Sequence, residues 1–325
     1  LFGNSYLRMT IEKKYSFVVP AYNEEKNIGT LYRKIVDLMK AISNNWELIF
    51  INDGSHDSTL ALLIELSLSD KKVKYINFSR NFGQQAALIA GLKNCSGDAI
   101  ITLDCDLQDP PQLISQMIEQ WNKGFDIVYA RRIKRNDRLF KKYSAILYYK
   151  LLDNFSDIKI PRNVGDFRLI DKKVLTVLTQ MNEKAIYLRG MVAWVGFKHT
   201  FVDFERPERT AGETNYTLKK MLKLSMDGLI TFSLLPLKLG MWLGLLSITL
   251  GTSFLIYMVI DMLINHSKYE LFKWLSVIIF IFFGFTFVLI WILGEYIGRI
   301  YNEAKNRPIY IIDKKGNFDA DIDAQ

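Results

Sequence analysis

Apolar and polar positions alternate in short blocks through the first 130 residues. Tyr15–Val19 is a β-rich apolar run that stops at Pro20. From Glu24 to Ile42 the apolar positions change to helical spacing, with Leu31, Ile35, Leu38 and Met39 on one face. Glu47–Ile51 is the next apolar run and stops at Asn-Asp-Gly, a turn signal. Asp57 is placed to cap a helix carrying Leu60, Leu63, Ile64 and Leu68. Val73–Phe78, Asp98–Leu103 and Asp126–Ala130 read as further strands, and Gln84–Cys95 as a helix. Asp109-Pro-Pro-Gln112 predicts a helix start, with Asp109 as N-cap, Pro110 in the first position and Gln112 where a capping box needs it. Strands that alternate with helices in this way predict an α/β domain around a largely parallel sheet. Ligands in such sheets bind at the carboxyl ends of the strands. The polar clusters fall there: Tyr22 to Glu24, Asp53, and Asp104 to Asp109.

The pattern changes after Leu234. Leu237–Leu263 is almost wholly apolar until Asp261, and Trp274–Ile297 until Glu295. Each exceeds the roughly 20 residues needed to cross a hydrocarbon core of about 30 Å, so two transmembrane helices are expected. Lys219, Lys220, Lys223 and Lys238 precede the first run, and Arg299, Lys305 and Arg307 follow the second. The intervening loop carries only Lys268 and Lys273, so both termini and the α/β domain are expected in the cytoplasm. Leu218, Met221, Leu222, Ser225 and Leu229 follow helical spacing beside the lysines, as in an interfacial helix. The expected boundaries are an added remnant over 1–8 before Met9, a catalytic domain over 9–216, and a juxtamembrane amphipathic helix over 217–236. Spans over 237–263 and 274–298 follow, then a cytoplasmic tail over 299–325.

The formal net charge of +8 suggests an anionic partner such as lipid head groups, phosphate-bearing substrates or nucleic acid. Cys95 and Cys105 lie in different predicted elements and make neither a C-x-x-C pair nor a disulfide framework. Leu1 to Arg8 has no charged region followed by an apolar run, so no signal peptide is expected.

Asp104-Cys105-Asp106, followed by Gln108, places two carboxylates and an amide oxygen near one point. Mg²⁺ or Mn²⁺ prefers such ligands and bridges diphosphate oxygens, whereas a hard cation avoids the Cys105 thiolate. Asp53 reads equally as a turn-forming Asp or as an acceptor for a nucleobase N–H. Tyr22 is a candidate base contact, and Glu24 is either a ribose or base contact or a charge answering a helix dipole. Arg131, Arg132, Lys134 and Arg135 follow the fifth strand, with Arg168, Arg206 and Arg209 further on. Arginine's planar fork suits phosphate oxygens, although a solvated basic face gives the same pattern. Asp166, in Asn163-Val-Gly-Asp-Phe-Arg168, reads by itself as a capping Asp in a Gly-containing turn.

Taken together, Val18-Val-Pro-Ala-Tyr-Asn-Glu24, Asn52-Asp-Gly-Ser-His-Asp-Ser-Thr59, Asp104-Cys-Asp-Leu-Gln-Asp-Pro-Pro111 and Gly165-Asp-Phe-Arg168 occur in a telling order. The chain resembles the family-2 glycosyltransferases of GT-A fold from about Tyr15 to Pro308. Among them it resembles polyprenyl-phosphate glycosyltransferases such as dolichol-phosphate mannose synthases and bacterial bactoprenol glucosyltransferases. The resemblance implies that Pro20, Tyr22, Glu24, Asp53 and Asp104 hold the nucleotide-sugar. It implies that Asp104, Asp106 and Gln108 lie at a divalent cation, Mg²⁺ or Mn²⁺. Asp166 and Arg168 would stand at the reacting centre, with Arg131, Arg168, Arg206 and Arg209 contacting the acceptor phosphate. Where relatives often end the basic loop in Ser/Thr-Lys-aromatic, this chain reads Thr214-Asn215-Tyr216.

The expected reaction is inverting transfer of a hexosyl group, first of all from UDP-glucose, to undecaprenyl phosphate at the cytoplasmic face of the inner membrane. UDP-N-acetylglucosamine, a UDP-aminoarabinose derivative and GDP-mannose are alternative donors. A homo-oligomer such as a tetramer is expected, and nucleic acid is not an expected partner. A processive polysaccharide synthase should carry Gln-x-x-Arg-Trp, which is missing from the sequence. A haloacid-dehalogenase-like phosphatase wants Thr or Val where Gln108 stands, and a dinucleotide-binding dehydrogenase wants G-x-G-x-x-G after the first strand. A non-catalytic membrane scaffold would not need the Asp53, Asp104, Asp106 and Asp166 set.

Overall fold

The computed structural model describes residues 12–133, 161, 163–181, 183, 186–205 and 271–318, with scattered positions between 246 and 264. Arg206, Arg209, residues 1–8 and the amphipathic segment 217–236 lie outside the described residues. The chain divides into two units, one of residues 1–142, 160–214 and 308–325, the other of residues 143–159 and 215–307.

The first unit is built on an eight-stranded sheet in the order β7-β5-β6-β4-β1-β2-β3-β8. Its strands are β1 (Tyr15–Ala21), β2 (Trp46–Asn52), β3 (Val73–Phe78), β4 (Ala99–Thr102), β5 (Ile127–Arg132), β6 (Val164–Asp171), β7 (His199–Phe204) and β8 (Ile312–Gly316). The five strands expected from the pattern are all present, to within two residues at each end. β4, β1, β2 and β3 pair in parallel, as do β5 and β7. β6 runs antiparallel between β4 and β5, and β8 antiparallel along β3. The segment around Asp166, which reads as a turn, is therefore a central strand.

Successive strand residues face opposite sides of the sheet, and both sides are covered. Phe17, Val19, Leu48 and Phe50 point into one core, with α1 (Ile28–Lys40), α2 (Thr59–Ser69) and α4 (Leu113–Asn122). Val18, Ile49 and Ile51 point into the other, with α3 (Gln84–Asn94), α5 (Lys172–Gln180) and α6 (Leu188–Trp194). α3 lies so close to the sheet that a Cβ on Gly91 would collide with Val18 and Ile51.

Two expected caps move. α4 begins at Leu113 with Gln112 as N-cap, not at Asp109. Asp109 turns inward instead, is buried, and accepts a 3.4 Å hydrogen bond from the backbone N–H of Asp104. Asp57 lies one residue before the Ser58 N-cap of α2, where its carboxylate accepts from the Thr59 N–H at 3.0 Å.

In the second unit, α7 (Leu271–Ala304) is a helix of 34 residues. Its longest unbroken run of described side chains is 288–298, and the first expected span, 237–263, is described only at scattered helical positions. Among the described residues no helix is long and apolar enough to cross a membrane, so the two expected spans are not borne out. Several described apolar side chains of α7 are nonetheless exposed, among them Leu275, Ile279, Phe283, Ile290, Trp291 and Ile297, while others such as Phe282 and Leu289 are half-buried.

Candidate active site

β1, β2 and β4 run parallel, so the turns after Ala21, Asn52 and Thr102 leave the sheet along one edge. Antiparallel β6 begins where β4 ends, with Thr102 opposite Arg168. This brings Asp166 to the same edge, where its backbone carbonyl accepts from the Thr102 hydroxyl.

The turns after β1 and β2 are held together before any ligand arrives. Pro20 stands near the end of β1, opposite Ile51 of β2. Tyr22 is half-exposed and meets His56 edge-on. Asn23 has a φ of 57°, in the left-handed region that Asn tolerates. Its N–H donates to Ser55 Oγ and its side-chain oxygen accepts from the His56 N–H, each at 2.9 Å. Glu24 accepts from Asn27 Nδ2 at 2.6 Å. Burial raises the Glu24 pKa, with Asp106 and Asp57 adding to the effect and Asn27 opposing it. Asp53 is buried, and its two oxygens accept from the N–H groups of Phe82 and Gly83 at 2.7 and 2.9 Å. Those donors lead directly into α3, so the carboxylate sits at the positive end of that helix. Burial still raises the Asp53 pKa despite the two hydrogen bonds.

Acidic groups crowd the turn after β4. Leu107 has a φ of 58°, a strained conformation for a branched side chain. It folds the turn so that Gln108 N–H donates to Asp106 Oδ1 at 3.1 Å. Asp104 accepts from Gln84 Nε2 at 2.7 Å. Its pKa is pushed up to about 8, first by burial and then by Asp109, Asp166 and Asp106, with Arg189 opposing. The buried Gln108 Oε1 has no hydrogen-bond partner among the described residues. An excess of negative charge and an uncompensated buried acceptor are what a bound cation corrects. Among the described residues no group of three or more His, Cys, Asp or Glu side chains is arranged to hold a metal ion. A Mg²⁺-type site takes one or two carboxylates and completes its shell with substrate phosphates and water. Asp104, Asp106 and Gln108 therefore fit a nucleotide-borne cation.

Asp166 stands beside this cluster in the opposite electrostatic state. Arg168 donates to its Oδ1 at 2.8 Å, Arg189 reaches both oxygens at 3.2 Å, and Gln85 Nε2 approaches Oδ2 at 3.4 Å. Burial alone would raise the Asp166 pKa, but Arg189 and Arg168 outweigh it and hold the pKa below the usual carboxylate value. Arg168 is 1% exposed and lies between the Gly165 carbonyl, Asp166 and the Tyr129 ring. Arg131 is clamped on Asp203 at 2.6 and 2.9 Å and lies over Phe201, on the β5–β7 pair. The structure thus gathers Asp104, Asp106, Gln108, Asp166 and Arg168, and engages Arg131 elsewhere. It adds Gln84, Gln85 and Arg189. No motif marks these three; the one hint is a lone arginine beginning the apolar helix α6.

Paired acids at the carboxyl edge of the sheet, with an arginine-clamped Asp beside them, can hold a cation and an anionic group side by side. Residues 16–178 match the family described as Glycosyl transferase family 2. The chain is 48% identical, over 93% of its length and 94% of the other's, to the uncharacterized glycosyltransferase YkcC of Bacillus subtilis. It is 39% identical, over 93% of its length and 99% of the other's, to a prophage bactoprenol glucosyl transferase homolog of Escherichia coli. A crystal structure of glucosyl-3-phosphoglycerate synthase from Mycobacterium tuberculosis gives a TM-score of 0.48 at 18% identity, covering 68% of this chain and 77% of that one. The protein is a glycosyltransferase, and it belongs to glycosyl transferase family 2.

Proposed function

We propose that the protein transfers a hexosyl group from a nucleotide-sugar, UDP-glucose in the first place, to a polyprenyl phosphate such as undecaprenyl phosphate. The observation that carries this reading is the contrast between neighbouring carboxylates. Around Asp104 the acids Asp109, Asp166 and Asp106 outweigh Arg189, whereas Asp166 is paired directly with Arg168 and Arg189. A diphosphate-bound cation completes the first site, and the partly exposed Arg189 offers a phosphate contact next to the second. The bactoprenol glucosyl transferase homolog of Escherichia coli, alike over nearly the whole chain, supports a polyprenyl acceptor.

The chemistry is a single in-line displacement with inversion. An acceptor phosphate oxygen forms the bond to the anomeric carbon as the bond to the donor diphosphate breaks, and the nucleoside diphosphate leaves with the electron pair. A phosphomonoester with a second pKa of about 6 is already largely dianionic at neutral pH, so no strong general base is needed. Asp166, kept ionised and paired, orients Arg189 rather than removing a proton. A divalent cation, Mg²⁺ or Mn²⁺, would stabilise the charge developing on the leaving diphosphate. Asp104, Asp106 and Gln108 would hold it, while Asp53, Tyr22, Glu24 and the end of β1 at Pro20 frame the nucleoside. Arg206 and Arg209 are assigned to the acceptor phosphate on the resemblance alone.

The acceptor's chain confines the reaction to a lipid surface, and the exposed apolar side chains of α7 suit contact with lipid. We place the catalytic unit on the cytoplasmic side of the cell membrane, where nucleotide-sugars are made, in a homo-oligomer. The test is transfer from radiolabelled UDP-glucose, UDP-N-acetylglucosamine, a UDP-aminoarabinose derivative and GDP-mannose to undecaprenyl phosphate, with Mg²⁺, Mn²⁺ or chelator. Lipid-linked label with one donor, abolished by chelation, is expected. Failure with every donor sinks the reading, and activity untouched by chelation removes the cation from it.

A further inference from the structure

The sheet ends in a strand taken from the far end of the chain. β8 follows α7 in sequence and runs antiparallel along β3. The pairing is irregular between Asn77 and Phe78. There the Ser79 N–H donates to the Ile311 carbonyl at 3.1 Å, and Tyr310 stacks on Phe78 with ring centres 5.0 Å apart. Bulges of this kind occur beside active sites, where they redirect side chains. Asn77 stands at this irregularity.

Asn77 joins two halves of a hydrogen-bonded relay whose centre, Asn52 and Asn77, is buried and whose ends, Asp313 and Asn23, are exposed. Its Nδ2 donates to Asp313 Oδ2 of β8 at 3.1 Å, and its Oδ1 accepts from Asn52 Nδ2 at 2.7 Å. Asn52 Oδ1 accepts from Ser55 Oγ at 2.5 Å, and Ser55 Oγ accepts from the Asn23 N–H at 2.9 Å. Asn52 and Asn77 are 1% and 7% exposed, so little water replaces a lost partner. Each side-chain amide in the relay uses donor and acceptor together, which fixes its orientation. The relay ends between Tyr22 and Glu24 and passes beside Asp53, the three residues assigned to the nucleoside. Asn23, with its left-handed backbone, is the residue whose conformation the relay secures.

We infer that Asp313, through Asn77 and Asn52, is a positioning residue for the donor site, so that the C-terminal strand sets nucleotide affinity. The inference rests on the proposed nucleotide-sugar reading. The interaction has a direction, which gives a reversible test. Asn77→Asp would set two carboxylates against each other across the 3.1 Å contact while still accepting from Asn52. Adding Asp313→Asn restores a donor–acceptor pair with the polarity reversed.

The experiment is calorimetric titration of the full-length protein with UDP and with GDP in the presence of Mn²⁺, with the thermal midpoint followed separately. UDP binding is expected to weaken about tenfold in N77D, which is about 1.4 kcal/mol, and to return to within about twofold of the parent in N77D/D313N. A merely structural contact would lower the thermal midpoint and leave the dissociation constant of the folded protein alone. Unchanged affinity in N77D, or no rescue in the double variant, overturns the inference. Should N77D fail to fold, Asp313→Ala replaces it: weaker UDP binding is expected, and unchanged binding overturns the inference. A parent protein that binds neither UDP nor GDP overturns the nucleotide-sugar reading itself.

Discussion

At the residue scale, the function of each acid follows from what surrounds it rather than from its type. Asp104 is partly exposed and Asp166 buried, yet their pKa values move in opposite directions, because two arginines pair directly with Asp166 while acids outweigh Arg189 around Asp104. Arg189 is the one of those arginines with appreciable exposure, at 34%, and so the one a substrate phosphate can reach. Arg189→Ala is expected to lower kcat/KM for transfer by roughly 10²–10³, the range for losing one transition-state donor. Arg189→Lys should recover only part, since an ammonium cannot reproduce contacts to both Asp166 oxygens. Steady-state kinetics alongside UDP titration check this, because nucleotide affinity should stay unchanged. Glu47 shows the same dependence on surroundings far from the chemistry. It is buried, which alone would raise its pKa. The Lys74 ammonium, 2.8 Å away, and hydrogen bonds from Ser16 and the Ser96 N–H overcome that and bring it down to about 2. A depressed carboxylate pKa gives stability that is present above the unfolded value near 4.5 and is lost as pH falls towards 2. The size is on the order of 3 kcal/mol. Thermal midpoints between pH 7 and 3 should fall steeply in the parent and more gently in Glu47→Gln, which will be less stable at neutral pH because Lys74 loses its partner.

At the scale of elements, the first turn of α3 organises the site. Asp53 sits at its N-terminus, Gln84 reaches Asp104, and Gln85 joins Asp166 to the Leu188 N–H that begins α6. Gln85→Leu removes both links at once, and one lost hydrogen bond of about 1 kcal/mol already slows a reaction several-fold. Turnover in single-turnover assays is expected to fall on the order of tenfold with UDP affinity kept. Loss of UDP binding instead would show that Gln85 serves the donor. The approach of the loop after β3 depends on Gly54, whose φ is +67° and whose added Cβ would lie 2.5 Å from the Arg80 carbonyl carbon. Gly54→Ala should cost about 1–3 kcal/mol, visible in urea unfolding. Much of this was legible in the sequence because it is local. β1, β2 and β4 are largely apolar runs, and acids stand just past their ends at Glu24, Asp53 and Asp104. β6 was not legible, because Gly165, Asp166 and Arg168 make it look like a turn. Only pairing with β4 and β5 on both sides, and the buried ion pair, make it a strand. Asp109 deceived for the same reason: a capping pattern describes a helix end but cannot weigh a competing buried acid cluster. Arg189, Gln84 and Gln85 carry no spacing signal, since their partners are distant in sequence.

At the scale of the whole molecule, the strand order matters more than any single motif. Because β6 enters between β4 and β5 in the reverse direction, its first residues lie where β4 ends. Asp166 therefore meets Asp104 without a long loop. On the proposed reading, the acceptor is a lipid. The candidate for contact with that lipid is α7, a 34-residue helix with several exposed apolar side chains, Phe283 at 57% and Ile290 at 56% among them. In water, such positions tolerate charge with little penalty. In hydrocarbon, a lysine near a helix centre costs about 2.5–3.5 kcal/mol on insertion scales. Phe283→Lys with Ile290→Lys therefore separates the two environments. The parent is expected to float with undecaprenyl-phosphate-containing vesicles in a density gradient and the double variant to shift out of the lipid fraction, while UDP titration of both in detergent remains equal. Equal flotation would place these side chains away from lipid, and a parent that never floats would remove the membrane from the account.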